Sequence, residues 1–259
     1  MGWTEDVSAE QTGSYLTIKG PSGTIDLGTL VPECNYNLEV NAGQIIGFLE
    51  GKNPTLLFRF ILGLGPLASG SIEFPAFKHL RAQDDFYLNL GLAQRDKGLL
   101  SNLSLQENIE LPARYHNFRL GEMGPDELAR KALRDIMIPE DLWHARPDHV
   151  NWEIRKRVLL ARAVVCCPKI VLLEDPTDMF PWEKLSVLFG WIKMQKKEQR
   201  ATLLCTQNIP FALAVCDAVW NADIQSLQTV DQYLLSQGPE WNTFIAQMRK
   251  QLEVSCVST

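Results

Sequence analysis

Hydrophobic and polar positions alternate near the start of this chain and recur in helical blocks further on, and that change of period divides it. Residues 15–19 (YLTIK) and 36–40 (YNLEV) read as half-buried strands, with a turn expected at Pro21-Ser22-Gly23 between them. Residues 45–49 (IIGFL) are apolar throughout, as a strand buried on both faces would be, with glycines at 43 and 47. From Thr55 the pattern TLLFRFILGL has helical length, and Gly63 followed by Gly65-Pro66 stops it. An apolar strand, a short polar loop and a helix in succession form the setting in which phosphate loops occur.

Residues 96–150 are rich in Asn, Arg, Glu and Pro, and 126–138 (DELARKALRDIMI) carry a helical apolar period, so this stretch reads as a mostly helical insertion. A helix predicted over 153–167 runs through Pro168-Lys169 into an apolar strand at 170–173. A helix at 182–197, a strand at 202–206, a helix at 210–216 and a short strand at 218–220 follow. Two amphipathic helices split by Gly238-Pro239 close the pattern over 229–253. Strands alternating with helices predict a parallel sheet covered on both sides. The division expected is a flexible N-terminus (1–13), a first part of the core (14–95), a helical subdomain (96–150), a second part of the core (151–226) and a C-terminal helical tail (227–259).

Composition narrows this picture. The chain has 259 residues, 46% hydrophobic and 22% charged, enough for one large α/β domain carrying a subdomain. A net charge of -6 and a pI near 5.3 argue against a broad nucleic-acid-binding surface, so no nucleic-acid partner is expected. Six cysteines (Cys34, Cys166, Cys167, Cys205, Cys216 and Cys256) form no CxxC pair, and buried thiols in a reducing compartment are the reading. The first residues, MGWTEDVSAEQTG, are acidic and polar, unlike a secretory signal. The longest apolar run, 158–167, is cut by Arg162, short of the ~18 residues of a spanning helix. If the protein works at a membrane, another chain supplies the span.

Four segments in order carry a resemblance. GQIIGFL through SGSIEF (43–74), LAQRDKGLLSNLSLQENIELPARY (92–115), RKRVLLARAVVCCPKIVLLEDPT (155–177) and TLLCTQNIPFALAVCDAVW (202–220) resemble the nucleotide-binding subunit of an ATP-binding-cassette (ABC) transporter. The resemblance implies an α/β fold, a P-loop NTPase-like ABC ATPase core with a helical subdomain inserted. It implies ATP and Mg²⁺ as cofactors, a membrane permease as partner, and a dimer with itself or with an intact ABC subunit. The implied place is cytoplasmic, peripheral on the inner face of the cell membrane. The tail, a short helix, Gly238-Pro239 and a helix containing Phe244, resembles phospholipid-trafficking ABC subunits linked to MCE proteins.

The motifs that would handle nucleotide are altered. A phosphate loop needs inward-turned backbone N–H groups, a lysine and a hydroxyl for the metal. Here Glu50-Gly51-Lys52-Asn53-Pro54-Thr55 stands in its place, with Gly51 and Lys52 as cofactor-binding candidates and Thr55 as the metal-ligand hydroxyl. The loop is about two residues short, Pro54 removes a donor, and the same residues also make an ordinary helix start. The resemblance assigns Gln94 to the glutamine that couples metal and membrane partner. It assigns Glu174 to the magnesium carboxylate, Asp175 to the general base and Gln207 to the switch histidine's place. Asp175 is one methylene shorter than the usual glutamate, and glutamine carries no imidazolium charge. The signature segment reads Val150-Asn151-Trp152-Glu153-Ile154. Asn151 and Glu153 are the phosphate-facing candidates there, with a helix cap beside an aromatic packing residue as the plainer alternative.

Three functions stay open on the sequence. The first is a transporter ABC subunit of structural or regulatory role with weak or lost hydrolysis. The second is an active, divergent ATPase energising transport, of lipid among other cargoes. The third is a soluble scaffold that reuses the fold.

Overall fold

The computed structural model describes residues 14–25, 29–31, 36–49, 54–80, 84–95, 98–178 and 180–257. Two sheets organise them. The first is antiparallel: β1 (Ser14–Ile25) pairs with β2 (Thr29–Val31), β3 (Asn37–Asn41) and β5 (Leu67–Glu73). The second has six strands. These are β4 (Ile45–Leu49), β6 (Leu90–Ala93), β7 (Ile170–Glu174), β8 (Ala201–Thr206), β9 (Ala218–Asn221) and β10 (Ser226–Thr229). Their order is β10-β9-β4-β8-β7-β6, parallel from β9 to β6 with β10 antiparallel on β9.

Side-chain alternation sorts the parallel strands onto two cores. Ile45, Leu49, Val171, Leu173, Leu204 and Val219 face one cluster, and Ile46, Phe48, Ile170, Leu172, Leu203 and Trp220 face the other. The first cluster takes in α2 (Leu105–Tyr115), α3 (Pro125–Asp135), α4 (Trp152–Val164), α5 (Leu185–Lys197), α6 (Ile209–Val215) and the last helices, α7 (Val230–Gln237) and α8 (Pro239–Val257). The second is closed by α1 (Pro54–Ile61) and by the antiparallel sheet. The sequence pattern foresaw cover on both faces, and the structure makes one of those covers largely a sheet.

The turn expected at Pro21-Ser22-Gly23 is absent, because β1 runs straight through it. Gly20 has φ +45°, and the register against β5 shifts between Lys19 and Ser22 and again at Gly23. Pro21 therefore sits at a bulge, where no ladder donor is needed.

The helical stretch begins with a local lock. The Asn108 amide accepts from Leu100 N–H at 2.7 Å and donates to the carbonyls of Leu100, Leu103 and Ser104 at 3.0, 3.3 and 2.9 Å. Ser104 and Glu107 close a capping box at the start of α2. Gly91 on β6 lets α4 approach closely: a Cβ there would meet the Ala163 carbonyl oxygen at 2.1 Å. At the far end, α8 buries Ile245, Met248 and Leu252. Arg249 on the same helix donates to the last carbonyls of α6, Leu213 and Ala214, at 2.8 and 3.1 Å. Among the described residues, no helix is long and apolar enough to cross a membrane.

Candidate functional site

In an open parallel sheet the binding crevice lies beyond the carboxyl ends of the strands. Here those ends line up as β4, β8, β7 and β6, which places Leu49, Thr206, Glu174 and Ala93 along one edge. The residues that follow, Gln207, Asp175 and Gln94, are thereby brought to the same edge. Of the predicted phosphate-loop residues, Gly51 and Lys52 lie outside the described residues. Thr55 is the second residue of α1, with its side chain outside them as well.

Glu174 ends β7 in register with Cys205 of β8. It continues the alternation of Ile170 and Leu172, so it faces the side of the sheet that α1 covers. Asp175 follows in the left-handed region, φ +42°, which aspartate tolerates better than most residues. Its N–H donates to the Cys205 carbonyl at 2.7 Å. Its side chain is 9% exposed as a residue and well partnered. Oδ1 accepts from the hydroxyls of Thr206 at 3.1 Å and Thr177 at 3.2 Å, and those hydroxyls lie 2.6 Å from each other. Thr206 Oγ1 also accepts from the Asn208 N–H at 3.1 Å. The Asn208 side chain in turn caps α6 through Phe211 N–H.

A cation approaches from β6. Arg95 Nη1 lies 3.9 Å from Asp175 Oδ2, and its Nε donates to Asp178 Oδ2 at 3.1 Å. The buried Lys156, from α4, fixes the backbone there by donating to the Arg95 carbonyl at 3.0 Å. Gln94 and Gln207 are both exposed beside this group. Arg95, Lys156, Thr177, Asp178 and Thr206 were given no role by the sequence reading. The signal available was the placement of Arg95 directly after Gln94 and of Thr177 in the EDPT run.

Asn151 and Glu153 lie at the entry to α4. Asn151 Oδ1 accepts from Ile154 N–H at 2.9 Å, an N-cap. Glu153 is buried and ion-paired with Arg157 one turn on, and Arg157 donates to the Met137 carbonyl at 3.0 Å. Trp152 is 59% exposed, with the Arg155 guanidinium 5.0 Å over its ring. A groove opens beside β6, the last strand of the sheet among the described residues, lined by Tyr87, Leu90, Leu92, Pro112, His116 and Arg162 among others. Tyr115 beside it is 83% exposed.

This arrangement can be set against known proteins. The family model described as "ABC transporter" matches residues 34–178, more than half of the chain. The chain belongs to the ABC transporter family. The sulfate/thiosulfate import ATP-binding protein CysA of Mesostigma viride is 25% identical over 190 residues, which is 71% of this ABC chain but 53% of that protein. The match thus spans about half of that relative's length. The lipoprotein-releasing system ATP-binding protein LolD of Wigglesworthia glossinidia brevipalpis is 28% identical over 188 residues, 69% of this chain and 80% of that protein. Among solved structures, a dimeric ATP-binding cassette bound to ADP and Pi superposes with a TM-score of 0.70 at 18% identity, covering 83% of this chain and 98% of that one. The sheet order, the inserted helices and these likenesses together give the fold of an ABC ATPase cassette.

Proposed function

We propose that this chain is the ATP-binding-cassette subunit of a membrane transporter, cytoplasmic and docked on a permease, in which ATP turnover is weak or lost. The family and the fold support the first half. The entry to α4 carries the second. A helix N-terminus attracts an anion because its first N–H groups lack partners and its dipole is positive there. In an ABC dimer this end would have to receive the phosphate held by the opposite subunit. Asn151 already occupies the Ile154 N–H, and the Glu153 carboxylate sits within the first turn. Trp152 adds an exposed indole where a close phosphate approach needs small residues. An anion arriving there finds the Ile154 N–H already taken and an exposed indole in its path.

The groove along β6 supports the permease contact. It mixes apolar side chains with His116 and Arg162 beside β6, the last strand of the sheet among the described residues, between the core and the first helix of the inserted stretch. A dimer, with itself or with an intact ABC subunit, completes the proposal. The relatives cited handle cargoes as different as sulfate and lipoprotein by their names, so the cassette itself assigns no cargo to this chain.

The test is ATP turnover by the purified chain with and without the membrane protein that co-purifies with it. The expected outcome is retention of a multi-span partner, reduced by Tyr115→Glu, with turnover close to background. Clear basal hydrolysis would favour the active, divergent ATPase instead. Absence of any membrane partner would favour the scaffold reading.

A further inference from the structure

Lys169 directly precedes β7 and Arg200 directly precedes β8, so both stand at the amino ends of the parallel strands, the opposite edge of the sheet from Asp175. A cavity of about 460 Å³ opens there, walled by α3, the end of α4, α5 and Tyr15 of β1. Its size lies in the range of small-molecule sites, and its walls are mostly apolar, with Leu128, Val165 and Met194 among them. Lys131, Asp135, Lys169, Glu198 and Arg200 bring charge to it. Four of these neutralise one another. Lys131 pairs with Asp135 and lies 3.9 Å from Glu198, and Arg200 pairs with Glu198 at 2.6 Å. Lys169 is left over. Its Nζ stands 5.9 Å from the centre of the Tyr15 ring and 5.8 Å from that of Phe77. Burial lowers its pKa from the ordinary 10.5, and no neighbouring carboxylate pulls it back up. The Trp191 indole, 2% exposed, lines the same cavity, and its N–H has no hydrogen-bond partner among the described residues. A buried donor left unpaired is a cost that an incoming acceptor removes.

We infer that this cavity binds a small amphipathic anion, its acid group on Lys169 and its apolar body against the walls. The walls leave unsatisfied one positive charge, one N–H donor and an apolar surface, and those three define the ligand. A carboxylate or sulfonate is charge-complementary to the ammonium and supplies the acceptor. In a recess partly shut off from water that attraction is stronger than at an open surface. A cationic body would find both carboxylates already taken by Lys131 and Arg200. A neutral body would leave the ammonium without a counter-charge. The site lies at the other end of the strands from Asp175, and it stands whether or not the chain turns over ATP.

Two dyes of one ring body separate charge from shape: anilinonaphthalene sulfonate carries an acid group, and phenylnaphthylamine lacks it. Each is titrated into the full chain and followed by its fluorescence. The sulfonate is expected to saturate at a single site, at least about tenfold tighter than the neutral dye, equivalent to about 1.4 kcal/mol. Lys169→Met keeps the stem over the rings and removes the charge. It should weaken the sulfonate about tenfold and leave the neutral dye as it was, whereas Lys169→Arg should bind as the wild type. Met194→Trp fills the cavity from a partly buried wall, and should abolish sulfonate binding in protein that still unfolds cooperatively in urea. A neutral dye bound as tightly as the sulfonate would overturn the inference, and so would a sulfonate affinity that Lys169→Met leaves unchanged. Binding that survives Met194→Trp in the folded variant places the dye elsewhere and sinks it too. A wild-type chain with no saturable site ends it outright.

Discussion

Asn151 and Glu153 show how one short segment can be read as chemistry and built as architecture. The Asn151 cap satisfies one of the orphan donors of α4, so Asn151→Ala should destabilise the protein by about 1 kcal/mol in urea unfolding. Glu153 and Arg157 form a buried pair, and removing one partner strands the other's charge. Glu153→Gln should cost roughly 3 kcal/mol, while Glu153→Gln with Arg157→Met should recover a large part of it. If the single and double variants unfold alike, the pair does not hold this helix entry. The thiols make a second residue-level prediction. Burial pushes Cys166 up to about 12, and burial with the neighbouring carboxylates Asp175 and Glu174 does the same for Cys205. The unfolded thiols return to their ordinary value of 9.0. The folded state then holds the extra protons, so this contribution to stability is complete below about pH 9 and is lost as pH rises toward about 12. Urea midpoints should fall across that window, and thiol reagents at about pH 8 should label Cys166 and Cys205 only as the protein unfolds. At this scale the sequence disclosed which residues sit near the strand ends, Gln94, Glu174, Asp175 and Gln207. It did not disclose their partners, because the Thr206 hydrogen bond and the Arg95 ion pair of Asp175 join positions far apart in the chain.

The elements were more legible than the contacts. The apolar runs that became β4, β7 and β8 are buried on both faces, and period alone predicts such strands. The strand β10 was missed, since SLQT has neither an apolar run nor an alternation, and it exists by pairing with β9. Pro21 misled for the opposite reason. A bulge absorbs it, and a bulge is set by the partner strand rather than by local sequence. Two elements invite measurement. Gly91→Ala would drive β6 from α4, given the Ala163 carbonyl in its path, and should cost on the order of 1–3 kcal/mol, read as a lowered melting temperature. The capping box of α2 depends on an ionised Glu107, whose carboxyl is lowered from 4.5 first by the Ser104 backbone N–H and then by the Ser104 hydroxyl. Its contribution is present above about pH 4.5 and is lost as pH falls through the lower folded value. Amide exchange at the first turn of α2 should accelerate on acidification, and Ser104→Ala should weaken that response.

For the molecule as a whole, the sheet among the described residues ends in the antiparallel β10 at one side and in the parallel β6 at the other. The edge at the carboxyl ends of the parallel strands and the β6 groove are joined by a single short strand, beyond whose end Gln94 and Arg95 stand. A partner bound in the groove would press on the strand that leads into Arg95 and its ion pair with Asp178. The last helix bears on how the protein can be shortened. Arg249 finishes α6 by taking up its terminal carbonyls, and Ile245, Met248 and Leu252 fill a face against the rest of the fold. Stopping the chain at Gly238 would bare that face and leave two carbonyls without their donor, so the shortened product should be recovered from cells as insoluble material rather than as a minimal working unit.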